Sequence, residues 1–413
     1  MDSLTHLAAG VLTPLAFRRT PKRAAVVGFG IAVGALPDMD IFFVSGPEAF
    51  LTMHRGFTHA LFWQPVLVLL VVIPFYLWMV WRDTSSGLFF APVEYRKSTL
   101  PPQKTAPSSS HAKPGHYSFG LMYITALTGV SIHIYLDAMT NFGTMIFLPF
   151  SAMRVAFPAM FIIDPVLTLP LLVLLILALR SASDIVPPTV SAGTGDATDG
   201  VASIAFFPAR SQRLARVGLA WILFYPLLCL GVNAALVSRL APDFTAPQNI
   251  PQTEQVLPEA VARLILRPEP ISPFVWKVIF DEGPTYRVST LFPLRHLGIP
   301  DPERELRFSK PDQQLYAALM QQHALFGRFR DFAPLMAQVE RPAVQSDDPE
   351  PVREYVFMAL RYVTPPRSPA RWFGRTEPVF VLEVRVDSSD TLLAYRLLRR
   401  SRDAGRTPWV VIE

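Results

Sequence analysis

The chain has 413 residues, 51% of them hydrophobic and only 17% charged, against about 25% charged in an ordinary soluble domain. The deficit is uneven: residues 1–240 carry 16 Lys/Arg and 11 Asp/Glu, and residues 241–413 carry 22 of each, so the net charge of +5 lies in the first part. This division excludes a uniformly soluble enzyme and a disordered chain, and it gives no reason to expect nucleic acid binding, because Lys/Arg beside apolar segments set membrane topology.

Residues 4–17 are apolar but short of the roughly 20 residues a span needs, which fits an interfacial or re-entrant helix. A cleavable signal peptide is not expected, because Arg18, Arg19, Lys22 and Arg23 follow the apolar run instead of preceding it. Residues 24–37 form a second, Gly-rich apolar segment. Residues 61–81 are a charge-free span containing Pro65 and Pro74. Three more follow: 119–136 with His133, 161–179 with Asp164 near its start, and 217–237. The 40 prolines, many inside apolar segments, predict broken or kinked helices. The stretches 96–117 and 181–212 are polar loops, and His111 and His116 fall in the first as solvated residues. Cys229 stands alone, so neither a disulfide framework nor a thiolate metal site forms within one chain, and no disulfide-linked partner is expected.

From about residue 241 the pattern changes. Strands are predicted at 274–280, 286–291, 355–363, 379–386 and 409–412, with a helix at 311–326. The fold class is an α-helical polytopic membrane protein, with about five spans plus an N-terminal short helix, followed by an α+β domain with an antiparallel sheet. The domains are 1–240, membrane-embedded, and 241–413.

Charge predicts orientation. The segments 18–23, 82–118 and 180–216 are basic, whereas 38–56 and 137–160 hold one basic residue each, Arg55 and Arg154. The positive-inside rule puts the basic segments in the cytoplasm, the other two on the outer face and the C-terminal domain outside.

That assignment, made from Lys and Arg alone, collects Asp38, Asp40, His54, His59, His133, Asp137 and Asp164 near one face. Ionisable groups at membrane depth are costly and are read as functional. His133 and Asp137 are i,i+4 and share a helix face, close enough to bind one ion. His54 and His59, five apart, diverge by roughly 140° on a continuous helix, which puts His54 on a loop and His59 in a first helical turn. Asp38 and Asp40 flank a turn after Pro37. Imidazole and carboxylate without thiolate suit Zn, Mn or Fe, and the number of donors suits one or two ions, two being the arrangement used for phosphoester hydrolysis. Other readings stay open: helix-packing hydrogen bonds for His6 and Asp164, and helix caps for Asp2 and Asp38. Arg55 and Arg154 fit a phosphate clamp or snorkelling to headgroups equally well. His296 and His323 receive no role.

The motifs MDSLTHLAAG, GALPDMD, HRGFTHAL, HIYLDAMTNFGT with LPFS and Arg154, and FIIDP resemble the YdjM-like inner-membrane family, described as membrane-bound metal-dependent hydrolases. The resemblance is strong over about 1–180 and weaker in the tail segment PFVWKVIFDEGPTYRVSTL. It implies a bacterial inner-membrane location, with His6, Asp38, Asp40, His54, His59, His133 and Asp137 as metal ligands or their close neighbours. The HxxxD pair is more distantly similar to zinc-dependent phospholipase C and P1-type nucleases. The expected function is hydrolysis of a phosphoester or lipid-linked substrate at the outer face. His6, Asp38, His54, His59, His133 and Asp137 are the candidate ligands of a divalent metal, Zn first, and Asp40, Asp164 and Arg55 the candidate catalytic residues. The alternatives are a non-enzymatic membrane protein with a structural metal site, and a membrane-anchored extracytoplasmic binding module.

Overall fold

The computed structural model describes residues 2–16, 23–82, 119–182, 209–245, 263–294, 305–344, 352–374, 376–400, 405 and 407–412. The basic linker at 18–23 and the polar loops 82–118 and 180–216, which carry the orientation expectation, lie almost wholly outside these residues, as do His111, His116 and His296.

The first part is helical: α1 (Ser3–Ala16), α2 (Arg23–Ala35), α3 (Gly46–Met53), α4 (Gln64–Leu67), α5 (Leu69–Arg82), α6 (Phe119–Ala138), α7 (Pro165–Ser181) and α8 (Ala209–Thr245). Among the described residues, three stretches are long and apolar enough to cross a membrane: Gln64–Trp81, Phe119–Ala138 and Ala209–Leu240. Three shorter apolar helices accompany them, Ser3–Ala16, Ala24–Ala35 and Pro165–Ser181. Two of the five expected spans, at 24–37 and 161–179, thus form helices shorter than a span. Proline interrupts the pattern as expected. The apolar run from residue 61 becomes helical only at Gln64, with Pro65 in the first turn, where a missing N–H costs nothing. It breaks at Val68 before α5, which carries Pro74 internally.

Glycines set the spacing of α1 and α2. A Cβ on Gly10 would sit 2.2 Å from the Gly30 carbonyl oxygen, one on Gly30 2.5 Å from the Val11 Cα, and one on Gly34 2.6 Å from the His6 carbonyl oxygen. Only bare backbone permits this approach, the small-residue packing that holds helices together where lipid gives no hydrophobic drive. Leu12, Leu15, Val26, Phe29, Val72, Met122, Ala126, Leu167, Leu171 and Tyr225 fill the space between the helices.

Among the described residues the C-terminal part is a nine-stranded antiparallel sheet in sequence order: β1 (Arg263–Pro268), β2 (Trp276–Asp281), β3 (Thr285–Leu291), β4 (Leu306–Ser309), β5 (Met336–Val344), β6 (Val352–Ala359), β7 (Val379–Val386), β8 (Leu392–Arg400) and β9 (Val410–Val411). Two helices, α9 (Gln313–Gln322) and α10 (Ala324–Phe332), connect β4 to β5. The single predicted helix divides at His323, whose ring accepts the Leu325 N–H as the N-cap of α10. Two apolar contacts join the sheet to the helices. Leu236 and Leu240 near the end of α8 pack on Leu266, Trp276 and Phe280 of β1 and β2. Phe50 and Leu51 of α3 and Phe142 share a core with Phe329, Phe332, Phe357 and Phe380.

Gly34→Ala is expected to lower thermal stability in detergent by about 1–3 kcal/mol through overpacking. Gly120→Ala, at a helical position with open space around it, is expected to leave stability unchanged or raise it. Equal melting temperatures for Gly34→Ala and the parent would show that the α1–α2 contact tolerates a side chain.

Candidate metal centre

The end of α2, the start of α1, the end of α6 and the loops around α3 meet at one end of the helical bundle. Asp38 sits in a 3-10 turn, Pro37–Phe42, directly after α2. The residue at the N-terminal boundary of that turn is Leu36, so Asp38 is not a cap. His54 closes α3, a helix the sequence pattern did not reveal, and His59 ends a second 3-10 turn, Phe57–His59. His133 and Asp137 lie one turn apart on α6.

One donor atom from each of Asp38, His59, His133 and Asp137 lies within 4.8 Å of all the others. His59 Nε2 is 3.1 Å from Asp137 Oδ2 and 3.7 Å from Asp38 Oδ1. His133 Nε2 is 3.5 Å from Asp38 Oδ1 and 3.6 Å from Asp137 Oδ2. His59, His133 and Asp137 are fully buried, while the Asp38 side chain keeps 26% of its surface exposed.

Hydrogen bonding fixes the His133 tautomer. Its Nδ1 lies 2.9 Å from the Gly34 carbonyl oxygen, which can only accept, so Nδ1 carries the proton. The lone pair is then on Nε2, which is buried, has no hydrogen-bond partner among the described residues and faces two carboxylates. His59 Nε2 is likewise buried without a hydrogen-bond partner among the described residues. Two imidazoles and two carboxylates turned toward one point form a group that could hold a metal ion, and such a donor set suits Zn, Mn or Fe. The Nδ1–carbonyl bond is the outer contact that orients a metal-binding histidine.

Four of the remaining expected residues, His6, Arg55, Asp40 and His54, adjoin this group. His6 lies outside the four. Its Nε2 is 3.1 Å from Asp137 Oδ1 and its ring stacks on His133 at 3.5 Å. Arg55 shares the same oxygen, with Nη2 2.9 Å from Asp137 Oδ1, while its Nη1 donates to Thr140 Oγ1 at 2.9 Å. Its backbone is in the left-handed region, φ 57°, and its N–H donates to Asp40 Oδ2 at 2.8 Å. Asp40 also lies 3.2 Å from His54 Nδ1. Burial opposes ionisation of Asp38, but His133 and His59 beside it outweigh that and hold the carboxyl below its usual range. Burial likewise opposes ionisation of Asp40, and His54 and the Arg55 N–H overcome it. Burial keeps His54 below its ordinary value.

Arg154 donates to the carbonyls of Leu51, His54 and Gly143, at 2.7, 3.1 and 3.3 Å. Neither Arg55 nor Arg154 therefore snorkels: both tie α3 and the loop after α6 together. Asp164 is placed elsewhere. It caps α7 by accepting the Val166 N–H, and it accepts the Tyr225 hydroxyl at 2.9 Å. Asp2 caps α1 through Thr5. The Gly34 carbonyl, Thr140 and the rings of Phe50 and Phe142 against His54 could not be found from sequence, since backbone acceptors and packing partners have no motif.

Residues 1–238 match the family model described as YdjM inner membrane protein. The chain belongs to that family. No curated protein and no solved structure matches the chain. The family description agrees with the three apolar spans, and its region contains all four converging donors.

Asp137→Asn is expected to cost about 3–5 kcal/mol of stability, because it leaves Arg55 buried without a counter-charge. Asp38→Asn, at the exposed edge, is expected to cost about 1 kcal/mol or less. Thermal denaturation in detergent separates them, and equal losses would contradict the assignment of Asp137 as the buried anchor.

Proposed function

We propose that the protein is a membrane-bound metal-dependent hydrolase acting on a phosphoester or lipid-linked substrate at the outer face of the inner membrane. The observation that carries the reading is the convergence of Asp38, His59, His133 and Asp137, three of them sealed and one open to solvent. A structural metal site is closed, whereas a catalytic one keeps an accessible position, and the Asp38 edge supplies it. A divalent ion held there, Zn before Mn or Fe, would provide a water of lowered pKa and polarise the scissile group. The outer-face location rests on the distribution of Lys and Arg along the chain.

The chain's own residues divide the remaining work. His133, fixed by the Gly34 carbonyl, and Asp137, fixed by Arg55 and His6, are rigid donors. Asp40 and His54 form a carboxylate–imidazole pair beside the four. With the Nδ1 proton directed at Asp40, His54 Nε2 carries a lone pair suited to take a proton from an attacking water. Asp40 orients that base. Asp164, committed to its cap and to Tyr225, has no part in this scheme.

Full-length protein in detergent, supplied with Zn or Mn, is expected to turn over at least one member of a panel of phospholipids and phosphodiesters. His54→Ala is expected to lower kcat by about 10²–10⁴. Absence of turnover across the panel would overturn the phosphoester reading.

A further inference from the structure

A second concentration of charge lies where the sheet meets the helices. The Arg55 and Arg154 guanidinium carbons lie 5.2 and 5.0 Å from the centre of the Phe142 ring. Phe142 meets Phe332 edge-on, with ring centres 5.4 Å apart. Arg361, just after β6, lies 4.4 Å from the Phe332 ring centre and 5.0 Å from that of Tyr362, and Arg154 lies 6.0 Å from the same Phe332 ring. Two guanidinium groups from the helical part and one from the sheet domain therefore gather around one pair of rings. Arg267 of β1 is not at these rings but feels the charge of Arg361: burial and then that charge push it down to about 10. Burial, and the positive charges of Arg361 and Arg55, push Arg154 down to about 10 as well.

Of these four charges, one has an ion-pair partner among the described residues. Arg55 is matched by Asp137. Arg154, Arg267 and Arg361 have no carboxylate within ion-pairing distance among the described residues. The Nε atoms of Arg55, Arg267 and Arg361 and the Tyr362 hydroxyl are buried and have no hydrogen-bond partner among the described residues. Arg55 itself is only 2% exposed. Buried donors without acceptors are rare because each forfeits its hydration. Cationic donors crowded together add mutual repulsion, and an anion with several acceptor oxygens relieves both costs at once. Phosphate fits that description, and planar guanidinium forks match its oxygens.

We propose that Arg267, Arg361 and Tyr362 of the sheet domain, with Arg154 and Arg55 of the helical part, form a binding pocket for the phosphate group of a phosphomonoester or phosphodiester. Calling that phosphate the substrate's own rests on the hydrolase reading; the pocket itself does not. Arg55 touches both Asp137 and the pocket, so a phosphate held here lies beside the four-donor group. The sheet domain then supplies half of the substrate's recognition, and its docking through Phe332 and Phe380 on Phe142 completes the site.

The test is phosphate binding by full-length protein in an uncharged detergent, read by calorimetry. The probes are inorganic phosphate, and mixed micelles with phosphatidic acid or phosphatidylcholine. Wild type is expected to bind phosphate, and Arg267→Gln and Arg361→Gln each to weaken it about tenfold or more. Arg361→Lys is expected to retain part of the affinity, which separates charge from fold. Arg330→Gln, on the exposed face of α10, is expected to bind as wild type. Preference for phosphatidic acid micelles over free phosphate identifies a lipid headgroup, and the reverse identifies a soluble phosphate; either supports the pocket. Metal content measured on the same samples keeps the two readings apart. Phosphate binding without metal would sink the hydrolase reading and leave the pocket standing. Bound metal with no binding of phosphate or phosphatidic acid, or unchanged affinity in both glutamine variants, would overturn the pocket.

Discussion

The Asp137 carboxylate, with no exposed surface, is the constraint from which the rest of the helical end follows. A buried carboxylate is tolerated only with close positive or donating partners. One oxygen takes Arg55 and His6, and the other faces His59 and His133. Meeting that demand requires α1 to lie against α2 and α6, and Gly10, Gly30 and Gly34 let it. It also requires the segment after α3 to turn back into the bundle, which Arg55 does at a positive φ with its N–H on Asp40. The glycine that lets the helices touch also presents the carbonyl that fixes the His133 tautomer. Packing and site geometry are thus one arrangement.

The sheet domain is part of the same construction. Phe50 and Phe142 reach into its core beside Phe332 and Phe380, and His54 stacks on Phe50 at 4.3 Å. The Asp40–His54 pair is therefore braced from the sheet side, while Asp137 is braced from the helix side. On the helical side, Tyr225 of α8 reaches both Asp164 and the Ser272 carbonyl, a further tie between the bundle and the β1–β2 connection. Asp164 serves this joint.

The donors were legible because imidazole and carboxylate in apolar sequence are costly and have few structural uses. The His133–Asp137 spacing on a helix and the turn after Pro37 followed from local rules, and the positions of Asp38 and His59 agree with them. What each residue does inside the group was not legible. His6 and His133 look alike in sequence, yet one holds Asp137 from outside and the other turns a lone pair inward, a difference set by the Gly34 carbonyl 99 positions away. The tail's antiparallel sheet was legible, but β1, β4, β5 and β8 were not. In β5 and β8, Arg341 and Arg396 interrupt the apolar alternation, and they are satisfied across the sheet by Glu354 and Glu383, at 2.6 to 2.7 Å. Cross-strand pairs of this kind do not show in a single strand's pattern. The helices at 24–35 and 165–181 come out shorter than the apolar runs 24–37 and 161–179, because Pro37 opens a 3-10 turn after the first and Pro165 begins the second.

The most direct test of the metal centre is elemental analysis of detergent-purified protein, wild type beside His59→Ala and His133→Ala. The account predicts at least one equivalent of Zn, Mn or Fe in wild type, lost from both variants while each remains folded. No bound metal in wild type, and none taken up on addition of Zn or Mn, would contradict it and leave the four residues as a hydrogen-bonded network joining helices.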